Sequence, residues 1–145
     1  GVAGIIAQTP YSLGYIGSEY AFAQKIPYAA VKNQRGELVS PSTESISAAA
    51  GDIPQDTRCS ITNADAAGAY PISCFTWLLI YKEQNYSDRS EAQAKATVDL
   101  MQYMLSDSVQ QTTATVHYAP LPKKAIEQSL ANLKTVTYQG QPILK

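Results

Sequence analysis

Ala69-Tyr70-Pro71-Ile72-Ser73-Cys74-Phe75-Thr76-Trp77-Leu78-Leu79-Ile80-Tyr81 is the longest β-favouring run in the chain. From Trp77 to Tyr81 its apolar character is continuous rather than alternating, the pattern of a strand covered on both faces. A strand covered in that way lies inside a layered domain, so the run predicts an α/β fold. Its apolar part, Phe75 to Tyr81, is far shorter than the roughly 20 residues that cross a bilayer.

Downstream, Asp88 and Glu91 predict an acidic capping box before a helix with Ala94, Val98, Met101 and Leu105 on one stripe. A second helical stretch is expected over Ser108 to Ala114. Tyr118-Ala119-Pro120-Leu121-Pro122 then breaks the chain in an extended turn, and Pro122 suits the first position of a helix bearing Ile126, Leu130 and Leu133, with Lys134 in its last turn. Val136-Thr137-Tyr138 and Pro142-Ile143-Leu144 are extended pieces around Gln139-Gly140-Gln141.

Upstream, Arg58 to Thr62 is strand-like. Ser40 with Pro41 opens a helix through Ala50, closed by Gly51, with Ile46, Ala49 and Ala50 inward. Tyr28-Ala29-Ala30-Val31 and Glu37-Leu38-Val39 flank the polar turn Asn33-Gln34-Arg35-Gly36, a β-hairpin pattern. Leu13 to Gly17 reads as a short strand, followed by a helix over Ser18 to Gln24 capped by Ser18. Gly1 to Thr9 reads as a helix with Val2, Ile5 and Ile6 on one side, ended by Pro10. No capping residue precedes Val2, so the chain is expected to begin inside a truncated element.

The 145 residues, 45% apolar and 16% charged, suit an ordinary globular protein. A formal charge of -1 leaves no broad basic field, so nucleic acid is not expected as a partner. The amino terminus lacks the basic-then-apolar order of a signal peptide, so an exported chain would already be processed. There is no solenoid repeat and no low-complexity tract. One His and no Cys-x-x-Cys make a tetrahedral metal site unexpected. Cys59 and Cys74 lie fifteen apart in strand-like stretches, compatible with one cross-strand disulfide or with two buried free thiols.

Each further candidate has a plain structural reading beside the functional one. His117 would be an acid or base, but no nucleophile motif accompanies it and a structural role beside the Tyr118 turn is preferred. Tyr11, Tyr15, Tyr20, Tyr28 and Tyr70 invite a stacking site, against which stands packing with hydroxyls at the surface. Asp52, Asp56 and Asp65 lack the spacing of a calcium loop and read as solvated turns. Lys32, Arg35 and Glu37 at a hairpin tip, with Lys123 and Lys124 at a helix start, are transporter contacts or ordinary solubilising charge.

Gly1-Val2-Ala3-Gly4, Leu13-Gly14-Tyr15-Ile16, Val39-Ser40-Pro41, Ala69-Tyr70-Pro71-Ile72 with Phe75 to Tyr81, and Tyr118-Ala119-Pro120-Leu121-Pro122 occur in that order. Order and spacing together resemble the carboxy-terminal half of the periplasmic phosphate-binding proteins, over essentially the whole chain. The resemblance implies part of a two-lobed venus-flytrap receptor with a mixed sheet flanked by helices, its lobes closing by hinge bending. It implies residues 1–70 in the second lobe, a crossover or hinge segment over 71–76, and residues 77–145 in the first lobe.

The resemblance further implies a non-enzymatic, periplasmic or extracellular receptor component for phosphate import, with no cofactor. Its expected partners are inorganic phosphate, held only with the amino-terminal half, that half itself as another chain or as further sequence, and the membrane permease of an ABC transporter. The family grips phosphate through hydroxyls, helix N-terminal amides, an Arg and an Asp. The surroundings of Arg35, Arg58 and Arg89 do not fit the family's Arg motif, so no phosphate ligand is assigned to this segment. The alternative is a reduced receptor fold reused as an extracellular structural or interaction subunit. A hydrolase is the weakest reading, because neither a metal cluster nor an activated nucleophile is legible.

Overall fold

Helix α4, Glu91–Met104, shows how local sequence writes this fold. Ser90 caps it: its hydroxyl accepts from the Gln93 amide while the Gln93 side chain accepts from the Ser90 amide. The box is thus Ser90 with Gln93, not Asp88 with Glu91; Asp88 sits two residues earlier with a left-handed φ of 57°. The expected stripe is inward, with Ala94 and Val98 fully buried and Met101 and Leu105 packed on the same cluster. Helix α4 packs against the helix Lys123–Leu133, and Val98 meets Leu133 and Val136 in a core flanked by Ile80, Ile143 and Leu144.

The computed structural model describes residues 1–51 and 57–144. In order, the elements are α1 (Val2–Gln8), α2 (Ser18–Gln24), β1 (Val31–Lys32), β2 (Leu38–Val39), α3 (Thr43–Ala49), α4, α5 (Asp107–Thr113), a 3-10 turn (Ala114–Val116), α6 (Lys123–Leu133), β3 (Thr137–Tyr138) and β4 (Gln141–Pro142). Strands β1 and β2 form one antiparallel pair, with Val31 opposite Val39; β3 and β4 form another, with Thr137 opposite Pro142. The architecture is mixed helix and small sheet, α/β as expected.

A second core lies earlier in the chain. Ala49, Ala50, Ile61 and Ala69 are buried together, with Phe75 against them. Its helix α3 begins two residues later than Pro41 suggests, because Ser42 and Ser45 form the reciprocal capping box. Ser45 rather than Ile46 takes the most buried position of the first turn, and its carbonyl accepts from the Tyr70 amide at 2.9 Å. Likewise α2 is capped at Gly17, not Ser18, without a side-chain bond, and Pro122 precedes α6 as its cap instead of opening it.

Three expected strands are not formed. Leu13 to Gly17, Arg58 to Thr62 and the run through Tyr81 are extended or irregular and join no sheet. A strand requires a neighbouring edge to receive its alternate amides and carbonyls, and each of the two sheets here has only two short strands.

Candidate functional site

The extended run Trp77–Tyr81 is the most unusual surface of the molecule. Among the described residues, Thr76 to Ile80 make no backbone hydrogen bond. Trp77, Leu78, Leu79 and Tyr81 are exposed, Leu79 by 92%; only Ile80 turns inward onto the Val98 core. The strand expected to be covered on both faces is therefore uncovered. Just beyond it the backbone does pair, where Glu83 forms a parallel bridge with Thr137. From Trp77 to Leu79 the run thus points out of the Val98 core with its backbone groups unpaired among the described residues, the condition in which a sheet edge receives another strand. Trp77 meets the Phe75 ring edge-on, Tyr81 meets the Tyr86 ring, and the Tyr81 carbonyl accepts from the Gln84 side chain. A second apolar surface lies near the amino terminus, where Val2, Ile5, Leu13 and Tyr15 are exposed.

Glu83, which sequence reading passed over, ties this region down. One carboxylate oxygen accepts from the amides of Asn85 at 2.9 Å and Gln139 at 3.0 Å. The other accepts from the Gly140 amide at 3.0 Å and the Thr137 hydroxyl at 2.9 Å. Gln139 and Gly140 both have positive φ, 50° and 75°, the turn geometry that suits a two-residue hairpin. Hydrogen bonds from the Asn85 and Gly140 amides, followed by the Thr137 hydroxyl and the Gln139 amide, lower the Glu83 pKa to about 2. A depressed carboxylate contributes stability that is present above its unfolded pKa and is lost as pH falls through the folded one. The β3–β4 hairpin should accordingly loosen as pH falls from about 4.5 to about 2. The Gly140 and Asn85 amide NMR signals should titrate together near the lower value; a midpoint at the ordinary carboxylate pKa would show that the cradle is not formed in solution.

Asn33 organises the other hairpin. Its side-chain oxygen accepts from the amides of Arg35 and Glu37, and its nitrogen donates to the Glu37 carboxylate and to the Ala69 carbonyl. Glu37 also accepts from the Gly68 amide at 2.8 Å. Hydrogen bonds from Asn33 and then Gly68 hold its carboxyl below the ordinary range. Turn and Ala69 core are thereby joined across 36 residues of sequence.

The remaining candidates are structurally engaged or lie apart. Arg35 pairs with Asp65 at 3.6 Å, both exposed; Asp52 and Asp56 lie outside the described residues. Arg89 donates to the Tyr86 hydroxyl, the Gln93 carbonyl and the Thr97 hydroxyl, and lies over the Tyr86 ring. Lys123 approaches Glu127 at 3.7 Å, on α6. His117 sits in a left-handed position, φ 64°, with its ring edge-on to Phe22 at 5.9 Å. Of the five tyrosines, Tyr11, Tyr15, Tyr20 and Tyr28 are exposed, whereas burial raises the Tyr70 pKa. Cys59 is half-buried and Cys74 exposed, with no bond between them, so neither is the buried thiol that is one of the two expectations. No group of His, Cys, Asp or Glu side chains suited to a metal ion occurs among the described residues, and no described helix is long and apolar enough to cross a membrane.

No protein-family model matches the chain. Curated proteins do. The phosphate-binding protein PstS of Xylella fastidiosa, strain Temecula1, is 35% identical over 132 residues, covering 88% of this chain and 35% of that protein. PstS of Methanocaldococcus jannaschii is 33% identical over 133 residues, with 85% and 34% covered. PstS of Pasteurella multocida is 27% identical over 139 residues, with 93% and 39% covered. The chain spans between a third and two fifths of the length of these relatives. Over nearly the whole of its own length, at 35% and 33% identity, the chain is similar to proteins of the PstS phosphate-binding family.

Proposed function

We propose that the chain is the carboxy-terminal part of a two-lobed phosphate receptor that serves ABC-type import and hands its ligand to a membrane permease outside the cytoplasm. The observation that carries this reading is the similarity to proteins named for phosphate binding across 88% of the chain. In this reading residues 1–70 belong to one lobe, 71–76 cross over, and 77–145 belong to the other. The two separate cores support that division: the last residue packed on the Ala49 core is Phe75, and the first packed on the Val98 core is Ile80.

The amino-terminal portion of the receptor supplies the strand that covers Trp77 to Tyr81, together with the residues that hold phosphate. Arg35 and Arg89, engaged with partners of their own, are not among the ligands. Isothermal titration tests both parts of the reading. The chain alone should bind phosphate more weakly than about 1 mM, and joined to the amino-terminal portion it should bind at about 1 μM or tighter, a gain of about 4 kcal/mol. Tight binding by the chain alone would remove the need for the missing portion; failure of the joined receptor to bind would remove the phosphate assignment.

A further inference from the structure

Among the described residues the Ala49 and Val98 clusters have no member in common. Earlier and later parts of the chain meet outside them, at Thr57 with Asn132 at 3.5 Å and, more extensively, at the turn over residues 117–122. The turn at residues 117–122 is built onto α5, which adjoins α4. The Tyr118 amide donates to the Thr113 carbonyl at 3.0 Å, and the Leu121 amide donates to the Gln110 side chain at 2.9 Å, both on α5. From that base it reaches the amino-terminal half at three points. The Tyr118 hydroxyl donates to Glu19 on α2 at 3.1 Å, across 99 residues of sequence. The His117 ring meets Phe22 of the same helix edge-on. The Ser47 hydroxyl of α3 donates to the Pro120 carbonyl at 3.5 Å.

These contacts differ from those within each core. The Tyr118 to Glu19 bond is charge-assisted but exposed, the aromatic pair is a single edge contact, and the hydroxyl bond is long. Units joined without a large apolar interface move relative to one another by default. The connecting run, Thr76 to Ile80, makes no backbone hydrogen bond among the described residues that would stiffen it.

We infer that the 117–122 turn is a releasable clasp, in which Tyr118 and Glu19, backed by His117 and Phe22, seat α2 and α3 of the amino-terminal half against the turn built on α5. The inference rests on the two-lobed reading above for its purpose, and on the contacts themselves for its existence. Tyr118 and Glu19 are positioning residues, touching no ligand.

The test uses the whole chain without phosphate, so its outcome is independent of the receptor assignment. Spin labels at L38C on β2 and A131C on α6, in a C59S/C74S background, report the distance between the halves by electron-electron resonance. Amide hydrogen exchange at Val98 and Ala49 reports the two cores. The parent should show a dominant short-distance population. Y118F, which removes one exposed hydroxyl, and E19A should each add a longer-distance population while core exchange changes less than about twofold, the signature of local opening rather than global unfolding. An unchanged distance distribution in both variants overturns the clasp. So does a parent distribution already as broad as theirs, or loss of core protection in Y118F, which would make the contact part of a single folded body.

Discussion

Replacing Val98 with Asp should unfold the later core and leave the earlier one standing. Val98 is fully buried between α4, Leu133 and Val136, with no described cation facing it in that cluster. A carboxylate there loses its hydration without a partner, at a cost of more than about 4 kcal/mol, against a total stability of about 5–15 kcal/mol for a small domain. Amide exchange followed by NMR should show protection lost through α4, α6 and the β3–β4 hairpin. Ala49, Ala50 and Ala69 should stay protected, because none of the residues packed on that core belongs to the Val98 cluster. Loss of both sets together would mean that the two clusters fold as one cooperative unit, and the proposed lobe boundary would go with it.

The second large effect is expected at Asn33. Its four side-chain hydrogen bonds hold the β1–β2 turn and dock it to the Ala69 carbonyl. Asn33→Ala leaves turn amides and a buried carbonyl without partners, which should cost about 2–4 kcal/mol in urea denaturation. Asn33→Asp separates the roles. It keeps the oxygen that the Arg35 and Glu37 amides use, but sets a second carboxylate against Glu37 and removes the donor to Ala69. Like charges in contact destabilise the ionised pair, so the Asp variant should recover part of its stability as pH falls through the carboxylate range, whereas the Ala variant should not. Equal pH dependence in the two would show that packing, not this hydrogen-bond set, is what Asn33 supplies.

Much of the local structure was legible because its causes lie within a few residues. The stripe Ala94, Val98, Met101 and Leu105 specified α4, and the polar turn ending at Gly36 specified the first hairpin. Caps were misplaced by one or two residues where several small polar residues competed, as at Ser40, Ser42 and Ser45. The site was harder to see. Glu83 reads as one more surface acid until the chain returns at Gln139 and Gly140 to put amides around it, and nothing near Tyr118 in sequence points to Glu19.

What the sequence by itself determined is the set of helices, the first hairpin, the extended pieces after α6 and the apolar character of Trp77 to Tyr81, because periodicity, capping and turn chemistry act over short separations. Whether that apolar run became a strand was decided only by tertiary structure. β-pairing takes its hydrogen bonds from an edge elsewhere in the fold, and the described residues offer Trp77 to Tyr81 no such edge. The same reason governs the division into two cores and the turn that reaches from α5 to α2 and α3: each depends on where distant segments meet.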